Sequence, residues 1–153
     1  MTVPGVLGVA VELATRRRDE AGQALAQVSR RHQHASQQME QLESYAADTQ
    51  ARWSVSAQSS TTPQLVGHYY QFMARLDQTI HLQQGVIDDV LRQCQAARRV
   101  LLDAEVHLAG LNRLLEKRRQ EQARIAALRE QKQTDAFASR RRMTPHTANQ
   151  DTP

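Results

Sequence analysis

Several things a compact enzyme domain carries are scarce in this chain. Phe, Trp and Tyr together make up 4% of 153 residues, too little bulk for a sizeable globular core. The single cysteine, Cys94, excludes an intramolecular disulfide framework and a cysteine-rich zinc site, which suits a reducing compartment. Four prolines and six glycines leave long stretches without a helix breaker. No apolar run approaches the ~20 residues that span a bilayer. The opening "MTVPGVLGVAVELATRRR" places its first basic residues after a short apolar run, the reverse of a secretory leader. These features point to a cytoplasmic chain.

The chain is instead rich in Ala, Leu, Gln, Arg and Glu, the residues of long solvent-washed helices. The net charge of +4 is unevenly placed. Residues 1–63 hold six Arg against six acids and residues 64–115 hold five against five, whereas residues 116–153 hold nine basic side chains against five acidic ones. An excess of that sign is suited to an acidic partner.

Stepping alternately by four and three from Leu7 gives Val11, Ala14, Arg18, Ala21, Leu25, Val28, His32, Ala35, Met39, Leu42, Ala46, Thr49 and Trp53, nearly all apolar. A mean spacing of 3.5 residues keeps one narrow seam on a partner helix, the coiled-coil signature. "SVSAQSSTTPQ" then reads as a turn, with Thr62 as a cap and Pro63 at the first helical position. The second seam runs through Val66, Tyr69, Met73, Leu76, Ile80, Gln83, Ile87, Val90, Cys94, Ala97, Leu101, Ala104, Leu108, Leu111 and Leu115, with Gln83 its one polar member.

If the segments fold back around residues 59–60, facing residues have numbers summing to about 119, and Leu7 faces residue 112. The stripe therefore stops near Leu115 because helix one has run out. The expected fold is all-α: a long two-helix antiparallel coiled-coil hairpin with an unpaired C-terminal helical extension. It forms a single domain over 1–142, with helix one over about 6–53, a loop over about 54–62 and helix two over about 63–140. Residues 143–153, with two prolines, read as a disordered tail. A dimer with swapped arms is compatible with the same pattern.

No phosphate loop, nucleophile motif or metal-binding histidine pair is present, so no catalytic, cofactor-binding or metal site is expected. His32 and His34 face different ways on a helix, and Cys94 sits in the seam as a small buried hydrophobe. Arg18, in the seam, is expected to extend its guanidinium towards Asp103 or Glu105 on the facing helix. Trp53 and Tyr69 are expected to close the hairpin end. "GHYYQFMARL" concentrates aromatics beyond the needs of the seam, so Tyr70 and Phe72 either pack on its flank or face a partner. The tail's bases are interleaved with acids and Phe137 is its one aromatic, which disfavours nucleic acid and favours an acidic protein.

The segments "ELATRRRDEAGQAL", "QQMEQLESY", "YYQFMARLDQTI" and "TDAFASRR", in this order and on an unequal hairpin, resemble the FliJ family of flagellar type III export proteins over about residues 7–143. The resemblance implies a non-enzymatic stalk, similar to the γ subunit of rotary ATP synthases, that inserts into the pore of the hexameric export ATPase and activates it. It also implies binding to the export gate protein FlhA and to export chaperones, with peripheral association at the cytoplasmic face of the inner membrane. Combined with the basic extension, it designates Arg118, Arg119 and Arg124, with Arg16 and Arg17 of helix one, as ATPase-binding residues. Phe72 and Leu76 match the family's gate-binding pattern, whereas Thr79 and Gln83 stand where that pattern has alanine and histidine. The rival readings are a virulence type III secretion stalk and a basic coiled coil that binds nucleic acid.

Overall fold

The computed structural model describes residues 5–143, which form two helices, α1 (Val6–Ala57) and α2 (Pro63–Met143), with no strand among them. The expected disorder of the tail falls, Met143 apart, outside the described residues. Inter-residue contacts group the chain into a unit of Glu12–Leu108 and a second unit whose described residues are 5–11 and 109–143.

In the first unit α1 and α2 pack antiparallel, and cross-helix partners fix the register. Arg31 bonds Gln93, Gln83 bonds Ala35, Tyr45 meets Phe72 and Trp53 meets Tyr69, number sums of 124, 118, 117 and 122. These bracket the value expected from the seams. Every predicted seam residue of both helices is buried or half-buried, and in α2 no other described residue is. The buried core is correspondingly thin: Ala14, Ala21, Ala35 and Met39 from α1, with Leu76, Val90, Cys94 and Leu108 from α2. No polar or charged residue is buried among the described residues. Removal of this one stripe from solvent is what holds the paired segments of the two helices together.

The loop end is built from short-range hydrogen bonds. α1 continues to Ala57, four residues past the expected end at 53, because no Gly or Pro in Ser54–Ala57 interrupts the backbone ladder, and Ser54 directs its hydroxyl back to the Gln50 carbonyl (2.9 Å) within it. It ends in a tightened turn, Gln58 N–H donating to Val55 O and Ser59 N–H to Ser56 O. Thr62 caps α2: its hydroxyl oxygen accepts from Leu65 N–H at 3.3 Å and its carbonyl from Val66 N–H, with Pro63 at the first helical position. Trp53 and Tyr69 stack beneath this turn with ring centroids 4.4 Å apart and planes 6° apart.

Two polar seam residues are accommodated differently. Gln83 Nε2 donates to the Ala35 carbonyl (2.9 Å) and to Gln38 Oε1 (3.3 Å) across the hairpin. Arg18 does not reach Asp103 or Glu105; its Nη2 and Nε both donate to Asp19 Oδ1, at 2.8 and 3.1 Å. A carboxylate one residue along the same helix is reached without crossing to α2.

Replacing Gln83 by Leu exchanges a net hydrogen-bond contribution of about 1 kcal/mol for apolar burial of about 1.5–3 kcal/mol. The Gln83→Leu hairpin should melt several degrees above wild type by circular dichroism, and an unchanged or lowered midpoint would count against this balance.

In the second unit, Leu7, Ala10, Val11, Leu111 and Leu115 are half-buried, and from Glu116 to Met143 every residue is exposed. α2 nevertheless stays helical through this stretch, which contains no Gly or Pro and ends on Arg140, Arg141 and Arg142, cations placed to complement the helix C-terminus.

Candidate partner-binding site

Two parts of the chain expose groups beyond what the hairpin uses. The first is the aromatic stretch after the loop. Phe72 leaves 40% of its surface exposed while its ring meets Tyr45 edge-on, centroids 6.0 Å apart at 80°. Tyr70 is 65% exposed and lies edge-on to Tyr69. Leu76 is turned into the seam and is buried. Of the two residues designated for the gate, Phe72 therefore presents surface and Leu76 supports the helix beneath it. Thr79 directs its hydroxyl to the Arg75 carbonyl of its own helix (2.9 Å), and Gln83 is held across the hairpin as described.

The second part is the extension of α2. Arg118 and Arg119 are exposed and form no ion pair among the described residues. Arg124 is gripped by Glu121 through two bonds, Nη2 to Oε1 at 2.6 Å and Nε to Oε2 at 3.2 Å. That hydrogen bonding holds its guanidinium pKa above the usual value, so it stays cationic with its charge answered locally. Ile125, Leu128 and Phe137 are exposed, and Arg141 lies over the Phe137 ring, 5.8 Å from its centroid. On the hairpin unit, Arg16 and Arg17 are exposed and without an ion pair among the described residues.

A second apolar row accompanies the seam of α2. Leu65, Phe72, Val86 and Val100 recur at multiples of seven and are each 40–59% exposed. The sequence displays this spacing, each of the four lying one position before a seam residue with Thr79 and Gln93 at the intervening places, but the helix-pairing pattern makes no use of it. Opposite this row lie long side chains of α1, and the Arg31–Gln93 bond (Nη2 to Oε1, 2.9 Å) crosses there. Neither that bond nor the groove beside it follows from the seam positions.

Among the described residues no group of three or more His, Cys, Asp or Glu could hold a metal ion, and no helix is long and apolar enough to cross a membrane. No curated protein and no solved structure matches the chain. The family model described as "Flagellar FliJ protein" matches it over residues 6–146, both helices included. That match covers most of the chain: the chain belongs to the FliJ family of flagellar export-related proteins.

Proposed function

We propose that the chain is a stalk that inserts into and activates the hexameric export ATPase and links it to the export gate protein FlhA and to export chaperones. The observation that carries this reading is the α2 extension: from Glu116 to Met143 a continuous, basic helix is wholly exposed to solvent and accessible to a partner. Arg118 and Arg119, with Arg16 and Arg17 of α1, supply unneutralised guanidinium groups to carboxylates of the ATPase, and Arg124 binds after exchanging or sharing Glu121. Phe72 supplies the apolar anchor for the gate, with the buried Leu76 fixing its helix. Chaperones carrying acidic surfaces meet the same extension, and the assembly holds the chain at the cytoplasmic face of the inner membrane.

ATP hydrolysis by the cognate ATPase, titrated with wild type and with Arg118→Glu/Arg119→Glu, tests the first part. Reversal of two exposed charges leaves the hairpin's melting unaltered and weakens half-maximal stimulation about ten-fold or more. Stimulation identical to wild type would remove the extension from the contact. For the gate, Phe72→Ala should weaken binding to the isolated cytoplasmic part of FlhA by about ten-fold, as removal of an aromatic anchor does. Equal affinity in a calorimetric titration would refute that role.

A further inference from the structure

On one flank of the hairpin unit lies an open groove of about 710 Å³ whose floor is Ala35, Val86 and Val90 and whose wall on the α1 side is Arg30, Arg31 and His34. Val86 is 47% exposed although it belongs to the apolar row beside the seam. Its surface is dry-side chemistry left in water. No carboxylate lines the groove, and Gln27 and Gln38 complete its polar rim. Arg31 is held in place by Gln93, whereas Arg30 makes no ion pair among the described residues. Asp89, three residues from Val86, is tied to Arg92 at 2.5 Å.

The seven-residue register places charges unequally about the hairpin. Glu40, Glu43, Asp77 and Asp88 fall on the flank opposite the groove, whereas on the groove side Arg17, Arg31, Arg52 and Arg75 are accompanied by Glu20, Asp48, Asp89 and Asp103, and the charges that line the groove itself are Arg30 and Arg31. A ligand for this groove needs an apolar strip to cover Val86 and Val90 and negative charge alongside to meet Arg30 and Arg31. A helix lying along two helices supplies both at 3.5-residue spacing. We propose that this groove docks an acidic amphipathic helix of a partner protein, converting the hairpin locally into a three-helix bundle. A basic helix is repelled here, and an acidic helix is repelled from the opposite flank, so charge selects both the partner and the side.

The site lies away from Phe72 and from the α2 extension in sequence, and its test requires neither the ATPase nor the gate. The probe is a fluorescein-labelled three-heptad peptide with Leu at its a and d positions and Glu at e and g, compared with the same peptide carrying Lys at e and g. Anisotropy is followed against the full chain, against Arg30→Glu/Arg31→Glu, against Val86→Asp and against Glu40→Lys/Glu43→Lys. Circular dichroism confirms that each is helical, and Arg30→Glu alone, which breaks no ion pair among the described residues, serves if the double variant unfolds.

The expected result is saturable, salt-sensitive binding of the Glu peptide, weakened about ten-fold or more by the Arg30/Arg31 and Val86 changes and unaltered by the Glu40/Glu43 change. Absence of binding, equal binding of the Lys peptide, or full affinity in Arg30→Glu/Arg31→Glu would overturn the proposal. So would a wild-type chain that sediments as a dimer and becomes monomeric on Arg30→Glu/Arg31→Glu, because a second copy would then fill the groove.

Discussion

A chain ended at Leu115 should melt as the full-length protein does and yet lose its stimulation of the export ATPase. Every predicted seam residue lies at or before Leu115, and every described residue after it is exposed. Removal of the extension therefore takes away no buried apolar surface, and the hairpin midpoint should move by no more than a degree or two. It also takes away Arg118, Arg119 and Arg124, three of the five arginines assigned to the proposed ATPase contact, together with the exposed Ile125, Leu128 and Phe137. Stimulation should fall to the level of ATPase alone at chain concentrations that saturate the wild-type effect. A truncated chain that still stimulates would relocate the contact to the hairpin. One that fails to fold would show that the extension packs against something the hairpin needs.

The converse experiment leaves the extension and breaks the seam. Leu108 is buried and Leu101 half-buried in the Glu12–Leu108 unit. Exchanging either for Asp forfeits its burial and puts a carboxylate in an apolar seam, a cost of about 3–5 kcal/mol per site. Together these approach the whole stability of an ordinary domain, about 5–15 kcal/mol, and the thin core has no large reserve. Leu101→Asp/Leu108→Asp should lose its cooperative melting transition and part of its helical signal, because the paired segments owe most of their helical stability to the buried stripe. Full helicity with an unchanged midpoint would refute the pairing of the two seams.

The hairpin was legible because its determinants are periodic. A stripe at alternating steps of three and four requires only residue types in one dimension, and equal stripe lengths then set the register. The cap at Thr62 was legible for the same reason, since a Thr-Pro pair states its own geometry. The end of α1 was not: Ser54–Ala57 has the composition of a turn, yet it holds no Gly or Pro to stop the backbone ladder. Arg18 was assigned to the facing helix because its seam position suggested it, but the choice between Asp19 and Glu105 depends on rotamers rather than on spacing. The candidate surfaces were readable as an excess, aromatics after the loop and cations after Leu115. What the sequence did not separate is which of those groups are already engaged. Leu76 and Arg124 carry the right chemistry, but one is buried and the other is answered by Glu121.

The single-file seam of α2 also governs how this chain can change over generations. Its half-buried and buried residues are confined to one position in every three or four, so substitutions elsewhere touch solvent on both sides of the exchange and are close to neutral for folding. Insertions are another matter: one added residue between Val66 and Leu115 rotates all that follows by ~100° and puts polar groups into the seam. Folding therefore constrains the spacing of the chain far more tightly than its letters. Such a hairpin can exchange many of its exposed residues and still fold, provided that its length and phase are kept.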